Sequence, residues 1–181
     1  MGELTPQERL QPSLLDRLTD DDPQNPQESR ERRVLSLRRL REIVLRDLAW
    51  LFNTPQLAAS EDLSAYPEAA NSVINYGVPE LAGLLPSHLD TFELQTLFRE
   101  AVLRFEPRIL PKTLSVQVVA SASQMNRNAV SFVIEGELWA QPIPLQLYLK
   151  TELDLDTGQI SLQETKSGSA ITPGGLKREE L

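Results

Sequence analysis

The sequence predicts an α+β fold, in which N-terminal helices pack on a C-terminal antiparallel sheet of about four strands. The hydrophobic period changes near Pro107. Before this proline, apolar residues recur at helical spacing, and they are Leu94, Leu97, Phe98, Ala101, Val102 and Phe105. After it, apolar residues alternate as in a strand with one buried face, and they are Leu114, Val116, Val118 and Ala120. Proline lacks an N–H and restricts the residue before it, so the helix is expected to end near Glu106.

The N-terminal part of the chain contains two predicted helices. Ser13 is a candidate N-cap for a short helix or docking segment over residues 14–18. A linker over residues 20–26 is polar and proline-containing, with nothing to bury. A long helix is predicted over residues 30–52, and Asn53 suits its C-terminal end. Its apolar stripe consists of Leu40, Ile43, Val44, Leu48 and Leu51.

Two further helices are predicted before the sheet. A weaker one covers residues 67–76 and ends at Gly77, after a loop over residues 54–66. The second covers residues 91–105 and has a clear start signal, because Asp90 can accept hydrogen bonds from the first free N–H groups of the helix.

The last third of the chain predicts strands. Alternating apolar residues indicate strands over residues 113–120, 130–138 and 143–153. The sequence Asp156-Thr157-Gly158 is typical of a hairpin turn, and a short fourth strand returns over residues 159–163. Strands connected in this way form an antiparallel meander.

The domain organisation follows from length and composition. The chain has 181 residues, of which 40% are hydrophobic, so it can bury one core. We expect a flexible N-terminal segment over residues 1–12, a single domain over residues 13–164 and a flexible C-terminal tail over residues 165–181.

Charge and cysteine usage exclude several classes of protein. The formal net charge of −8 argues against nucleic acid as the main partner, since phosphate binding requires a basic face. The absence of cysteine excludes disulfides and thiolate metal sites. No apolar run is long enough for a membrane span, and the N-terminus has no signal-peptide pattern. We therefore expect a soluble cytoplasmic protein that does not insert directly into a membrane.

Candidate catalytic and metal-binding residues are few. His88 is the one histidine, so the sequence offers few residues for a histidine-based metal site or a Ser-His-Asp arrangement. Glu106 with Asp47 or Glu80 could imitate the carboxylate pair of a glycosidase, but any such pair is a weak signal in a chain with 26 acidic residues. We expect no catalytic residue, no metal and no cofactor.

The predicted helix-to-sheet corner carries two opposite charges, Glu106 and Arg108. Charges fixed at a corner are better placed for docking than for core packing. A third charge, Asp47, falls on the apolar stripe of the long helix, where an unpaired carboxylate would be costly to bury. We therefore hypothesise that Asp47 pairs with an arginine, and Arg108 is a candidate.

Two other surfaces are candidates for protein binding. An arginine-rich helix face is either solvated or a docking face for an acidic partner, and its members are Arg30, Arg32, Arg33, Arg38, Arg39, Arg41 and Arg46. The polar face of the third strand consists of Gln146, Tyr148, Lys150 and Glu152. The adjacent sheet edge can either accept a strand from another chain or be guarded against partners by its lysine.

Several segments of the chain occur in the order found in a known family. The sequence has LLDRL at residues 14–18, VLRDLAWLFNT at 44–54, SVINYGVPEL at 72–81 and FEPR at 105–108. This combination resembles TssE, a family of baseplate subunits of the type VI secretion system. TssE is homologous to the small wedge proteins of contractile phage tails, which were historically labelled lysozyme-like. The resemblance covers most of residues 13–163.

The resemblance implies a structural role without catalysis. In TssE, the Glu-Pro-Arg motif contacts the core bundle of the baseplate wedge, and here that motif is Glu106, Pro107 and Arg108. The β part of TssE resembles the handshake region of sheath subunits and starts sheath polymerisation by strand sharing. The implied partners are the wedge proteins TssF, TssG and TssK and the sheath proteins TssB and TssC. The assembled baseplate would lie in the cytoplasm near the inner membrane.

Residues with expected roles fall into two groups. The expected protein-binding residues are Glu106, Pro107, Arg108, Gln146, Tyr148 and Lys150. The expected structural residues are Asp47, Trp50, Asn75 and Gly77. Two other functions stay open: a peptidoglycan-acting, lysozyme-like enzyme, and a generic adaptor that binds its partner through the arginine-rich helix.

Overall fold

The computed structural model describes residues 13–19, 24, 37–83, 90–119, 128–139 and 144–164. In these residues, helices precede an antiparallel sheet, which confirms the predicted α+β class. The helices are α1 (Leu14–Leu18), α2 (Leu37–Phe52), α3 (Pro67–Ala70) and α4 (Thr91–Phe105), and the strands are β1 (Ser115–Val119), β2 (Ala129–Leu138), β3 (Leu145–Asp154) and β4 (Ile160–Glu164). The predicted flexible segments over residues 1–12 and 165–181 lie outside the described residues, as does His88.

Helix α2 ends at Phe52, as predicted, while residues 30–36 of the predicted helix lie outside the described residues. The side chain of Asn53, directly after α2, reaches β4. Its Nδ2 donates to the carbonyl of Ile160 at 2.8 Å, and its Oδ1 accepts from the N–H of Ile160 at 2.9 Å. The C-terminal end of α2 is thereby fixed to the start of β4.

The predicted helix over residues 67–76 is wrong as a single helix. Helix α3 stops at Ala70, and a separate 3₁₀ turn covers Val73–Asn75. Between them, the Asn71 side chain donates to a carbonyl of α3, and the Ser72 hydroxyl accepts from an N–H of the 3₁₀ turn. Such local side-chain bonds compete with helical hydrogen bonds, and here they end the helix early.

Helix α4 covers Thr91–Phe105, which confirms the predicted bounds. Its N-terminal cap is also confirmed, because Oδ1 of Asp90 accepts from the N–H groups of Phe92 at 2.7 Å and Glu93 at 3.4 Å. These bonds satisfy N–H groups of the first helical turn that have no partner within the helix.

The four strands pair antiparallel in chain order, as the meander prediction requires. The long central ladder joins β2 to β3 along their whole lengths, from Ala129↔Asp154 to Leu138↔Leu145. The ladder between β3 and β4 is shorter and runs from Leu153↔Ile160 to Leu149↔Glu164. Thus β3 is an inner strand over much of its length.

The core lies between the helices and one face of the sheet. Phe52 of α2, Phe98 of α4 and Phe132 of β2 are fully buried and contact one another. The ring centroids of Phe98 and Phe132 are 4.2 Å apart in a stacked arrangement, and Phe52 meets these two rings edge-on at 5.3 Å and 6.1 Å. The three elements therefore share one aromatic centre.

The segment after α3 crosses beside the end of α2 and contains two buried polar or small residues. The side chain of Asn75 accepts from the N–H of Ala58 at 2.9 Å and donates to the carbonyl of Ala70 at 3.0 Å. Gly77 is buried, has a φ of +122°, and passes against the backbone of Thr54. Both residues thus determine how this loop packs.

Candidate protein-docking site

An ion network of five side chains links the N-terminal helix, α2 and the corner after α4. Its members, with charges that alternate along the chain of contacts, are Asp16, Arg46, Asp47, Arg108 and Glu106. Helix α1 contributes the first, α2 the next two, and the corner the last two. The network therefore connects segments that are far apart in the sequence.

Asp47 is the centre of the ion network. Its Oδ2 accepts from Nη2 of Arg108 at 2.6 Å, so the hypothesised Asp47–Arg108 pair is confirmed. Its Oδ1 accepts from Nε and Nη2 of Arg46 at 3.0 and 2.8 Å. Two guanidinium groups thus neutralise the carboxylate that interrupts the apolar stripe of α2.

Glu106 turns into the protein, and its side chain is 3% exposed. Its Oε1 accepts from Nε of Arg108 at 2.6 Å and from the N–H of Arg108 at 3.1 Å, while its Oε2 contacts Nη2 of the same residue. This corrects the expectation that both corner charges stand clear of the core. The carboxylate is buried because Arg108, two residues further on, folds back over it. Arg108 is therefore the accessible charge of the corner.

The electrostatics of the network keep Arg108 charged. Burial acts to lower the pKa of Arg108, but hydrogen bonds and charge interactions, first with Glu106 and then with Asp47, outweigh burial and raise the pKa above its ordinary value. The nearby Tyr76 hydroxyl donates to the Asp47 carbonyl at 3.4 Å. Burial raises the pKa of Tyr76, and the charges of Asp47 and Glu106 raise it further.

Backbone hydrogen bonds attach the corner to the end of β2. The carbonyl of Arg108 accepts from the N–H of Trp139 at 2.6 Å, and the N–H of Leu110 donates to the carbonyl of Glu137 at 2.8 Å. Pro107 is exposed at the tip of the turn. The corner therefore presents a proline and part of an arginine on a rigid support. A cavity of about 210 Å³ lies behind this support, between the ion network and the rings of Tyr76 and Phe105.

The N-terminal helix α1 is held by the far end of the network. Asp16 accepts from Nη1 and Nη2 of Arg46 at 2.7 and 3.3 Å, and Ser13 caps the helix as predicted. Leu14 and Leu18 are 70% and 75% exposed, so α1 has little apolar contact with the rest of the protein. The sequence did not predict the Asp16–Arg46 pair, because the two residues lie in separate segments and no local pattern connects them.

The attachment of α1 is expected to depend on pH. The hydrogen bond from Arg46 lowers the pKa of Asp16, against an opposing effect of burial. A carboxylate with a lowered folded-state pKa stabilises the fold above its unfolded pKa of about 3.9, and this stabilisation is lost as the pH falls through the lower folded value. An NMR titration of the Asp16 carboxyl should give a midpoint that rises in Arg46→Ala and stays unchanged in Arg38→Ala. Equal midpoints in the wild type and Arg46→Ala would contradict this role of Arg46.

Trp50, one of the expected structural residues, lies on the surface next to the network. Its side chain is 50% exposed, and the guanidinium of Arg46 lies 4.9 Å from its ring centroid. This geometry is a cation–π contact. Trp50 therefore extends the surface formed by α1 and Arg46 and contributes little to the core.

Only some of the residues on the polar face of β3 are paired with β4 in the described ladder. Lys150 pairs with Gln163 of β4, so the expectation that it borders an open edge is wrong. Gln146 and Tyr148 lie on the part of β3 that precedes Leu149, and Leu149 forms the last described pair with β4, to Glu164. In this part of the chain, Nη2 of Arg41 donates to the carbonyl of Gln146 at 2.9 Å.

Of the arginine-rich helix face, Arg30, Arg32 and Arg33 lie outside the described residues. The other four arginines contact the protein's own carboxylates or backbone. Arg41 and Arg46 reach β3 and Asp16, respectively, as described above. Arg38 contacts Glu42 at 3.0 Å on the solvent side of the helix. Arg41 and Arg46 are therefore engaged within the protein, which argues against one continuous docking surface on this face.

The two carboxylates that could imitate a glycosidase pair are part of the ion network. Asp47 and Glu106 both accept hydrogen bonds from Arg108. No group of three or more His, Cys, Asp or Glu side chains in the described ranges could hold a metal ion. In the same ranges, no helix is long and apolar enough to cross a membrane.

Comparisons with known proteins identify a family. The sequence model of the family described as "Baseplate wedge protein gp25" matches residues 38–143, more than half of the chain. This range includes α2 except its first residue, all of α4 and the corner. No curated protein and no solved structure matches. The resemblance to TssE agrees with the family match, because TssE is the type VI homologue of gp25. The family comprises structural components of phage-tail-like baseplates, which assemble with other baseplate proteins. The chain therefore belongs to the baseplate wedge protein gp25 family.

Proposed function

We propose that this chain is the TssE-type wedge subunit of a type VI secretion baseplate, which docks on the wedge core through its corner and starts sheath polymerisation by strand sharing. The observation that carries the proposal is the corner itself. An exposed proline and a partly exposed arginine are held on a turn whose charges are paired inside the protein and whose backbone is bonded to β2.

A rigid corner favours docking for a thermodynamic reason. Association loses less conformational entropy when the contact residues are already fixed in the free protein. Glu106 and Asp47 fix the guanidinium of Arg108, so Arg108 can meet a partner carboxylate or carbonyl without reorganisation. In this proposal, Pro107 and Arg108 touch the wedge core, while Glu106 and Asp47 position Arg108.

The proposed partners are those of a type VI baseplate. TssF, TssG and TssK would meet the corner, and TssB and TssC would meet the sheet. The net charge of −8 suits protein partners better than nucleic acid. A cytoplasmic location near the inner membrane follows from this assembly, in which the chain itself inserts into no membrane.

The strand-sharing part of the proposal concerns the end of β3. Gln146 and Tyr148 continue β3 past its described ladder with β4, and a strand from a sheath subunit could extend the sheet there. Lys150 is not part of this proposed contact, since β4 already pairs with it.

Docking through the corner is tested by changing its exposed tip without disturbing the ion network. Pro107→Glu is expected to weaken co-purification with the TssF–TssG core at least about tenfold, because it places a charge at the centre of the contact. Pro111→Glu is the matched control, since Pro111 is also an exposed proline and lies just beyond the corner. Circular dichroism verifies that both variants fold. Equal co-purification of the two folded variants would rule out the corner as the docking site.

A further inference from the structure

Within the described residues, the ladder between β3 and β4 stops before it reaches the first residues of β3. Strand β3 begins at Leu145, but its described ladder with β4 extends only to Leu149↔Glu164. At the opposite end of β4, the side chain of Asn53 bonds both backbone groups of Ile160. The residue that follows α2 thus meets this side of the sheet.

Arg41 of α2 contacts the part of β3 that lies outside this described ladder. Its Nη2 donates to the carbonyl of Gln146 at 2.9 Å, and its Nε lies 2.9 Å from Oε1 of Glu164. One guanidinium therefore bridges the main chain of β3 and the last described residue of β4. A side chain that donates to a strand carbonyl takes the place of the N–H of a neighbouring strand.

The direction of the Gln146 carbonyl supports this comparison. At the turn between β3 and β4, the N–H of Asp154 donates to the carbonyl of Gln159 at 2.9 Å. Backbone groups of alternate residues in an antiparallel strand face the same neighbour, so those of Lys150 and Gln146 also face the side of β4. The carbonyl that Arg41 binds is therefore one that an added strand would use.

We infer that Arg41 guards this edge: it occupies the Gln146 carbonyl in the free chain and is displaced when an extended segment of a partner protein pairs with β3. This inference rests on the proposed function, because it names the place where a strand is shared. Unpaired strand edges invite pairing with any extended chain, including a second copy, and proteins suppress this with cations at the edge. A displaced Arg41 would stay beside the incoming strand, so the geometry favours a partner segment that carries a carboxylate near Gln146.

The guard is tested by the oligomeric state of the full chain. Sedimentation velocity over a range of concentrations should give an association constant for Arg41→Ala about tenfold or more above that of the wild type, because the edge becomes available to a second copy. Arg38→Ala removes an arginine from the same helix that contacts Glu42, and it should leave association unchanged. Should Arg41→Ala not fold, Arg41→Gln replaces it, with a smaller rise expected.

A second substitution shows whether the new association uses this edge. Gln146→Pro removes the N–H of Gln146, which faces the side of β4, and proline blocks strand addition. The double variant Arg41→Ala/Gln146→Pro should therefore return to the association constant of the wild type. An Arg41→Ala chain that folds and associates no more than Arg38→Ala would overturn the guard, as would association that survives Gln146→Pro.

The outcomes separate the guard from the proposed function. Increased association of Arg41→Ala, with normal wedge co-purification by Pro107→Glu, supports the guard and rejects docking at the corner. Loss of co-purification by Pro107→Glu, with no change of association in Arg41→Ala, supports docking and rejects the guard.

Discussion

Gly77→Ala is expected to lower the free energy of unfolding by about 3–5 kcal/mol, because both its backbone conformation and its surroundings exclude a side chain. The residue has a φ of +122°, a backbone conformation that residues other than glycine rarely adopt. A Cβ at this position would lie 2.2 Å from the carbonyl oxygen of Thr54 and 2.9 Å from its carbonyl carbon. That oxygen also accepts the N–H of Val78 at 2.9 Å, so it cannot move away without breaking the crossing beside α2.

Gly83→Ala is the matched control for this prediction. Gly83 has a φ of +75°, but a Cβ there would meet no heavy atom within 4 Å. The control should therefore lose about 1–2 kcal/mol, the cost of the backbone conformation alone. Urea unfolding followed by far-ultraviolet circular dichroism measures both variants, and equal losses would refute the steric clash with Thr54.

Glu106→Ala is expected to lower the free energy of unfolding by about 2–4 kcal/mol, since it removes one partner of a largely buried ion pair. Arg108 would retain Asp47 but lose the two carboxylate oxygens and the tight turn that Glu106 supplies. An acid at an exposed docking corner, which is the position expected from the sequence, could be removed without loss of stability. The burial of Glu106 changes that expectation, and it is the reason to test docking at Pro107.

Glu100→Ala provides the comparison for Glu106→Ala, because Glu100 is an exposed acid on α4 a short distance before the corner. Its loss should change the free energy of unfolding by no more than about 0.5 kcal/mol. Thermal unfolding measured under the same buffer conditions gives both values. A Glu106→Ala variant as stable as Glu100→Ala would show that the Glu106–Arg108 pair contributes nothing to stability.

Local signals account for the parts of the fold that the sequence predicted well. The bounds of α4 follow from an N-cap, a run of helical spacing and a proline, all within one short segment. The meander follows from alternation and a hairpin turn. The helix predicted over residues 67–76 failed because the side chains of Asn71 and Ser72 bond the local backbone, a competition that hydrophobic periodicity does not measure.

The candidate site was predictable only where a residue violated a local pattern. A carboxylate on an apolar stripe needs a cation, and this reasoning found the Asp47–Arg108 pair across a long stretch of chain. No such violation marked Asp16, Arg41 or the inward turn of Glu106, since charged residues on a helix, or beside a proline, fit a surface position equally well. Their roles arise from tertiary packing.

The two tryptophans of the chain determine what its fluorescence can report. Trp50 and Trp139 are 50% and 52% exposed, whereas the aromatic centre of the core consists of phenylalanines. Trp50 lies over Arg46, and the main chain of Trp139 bonds Arg108. Indole emission responds to the polarity around the ring, so opening the core is expected to shift this signal little. The docking that we propose at the Pro107 corner would shift it strongly. Trp50 and Trp139 would thus report the proposed docking, and unfolding is followed better by backbone dichroism.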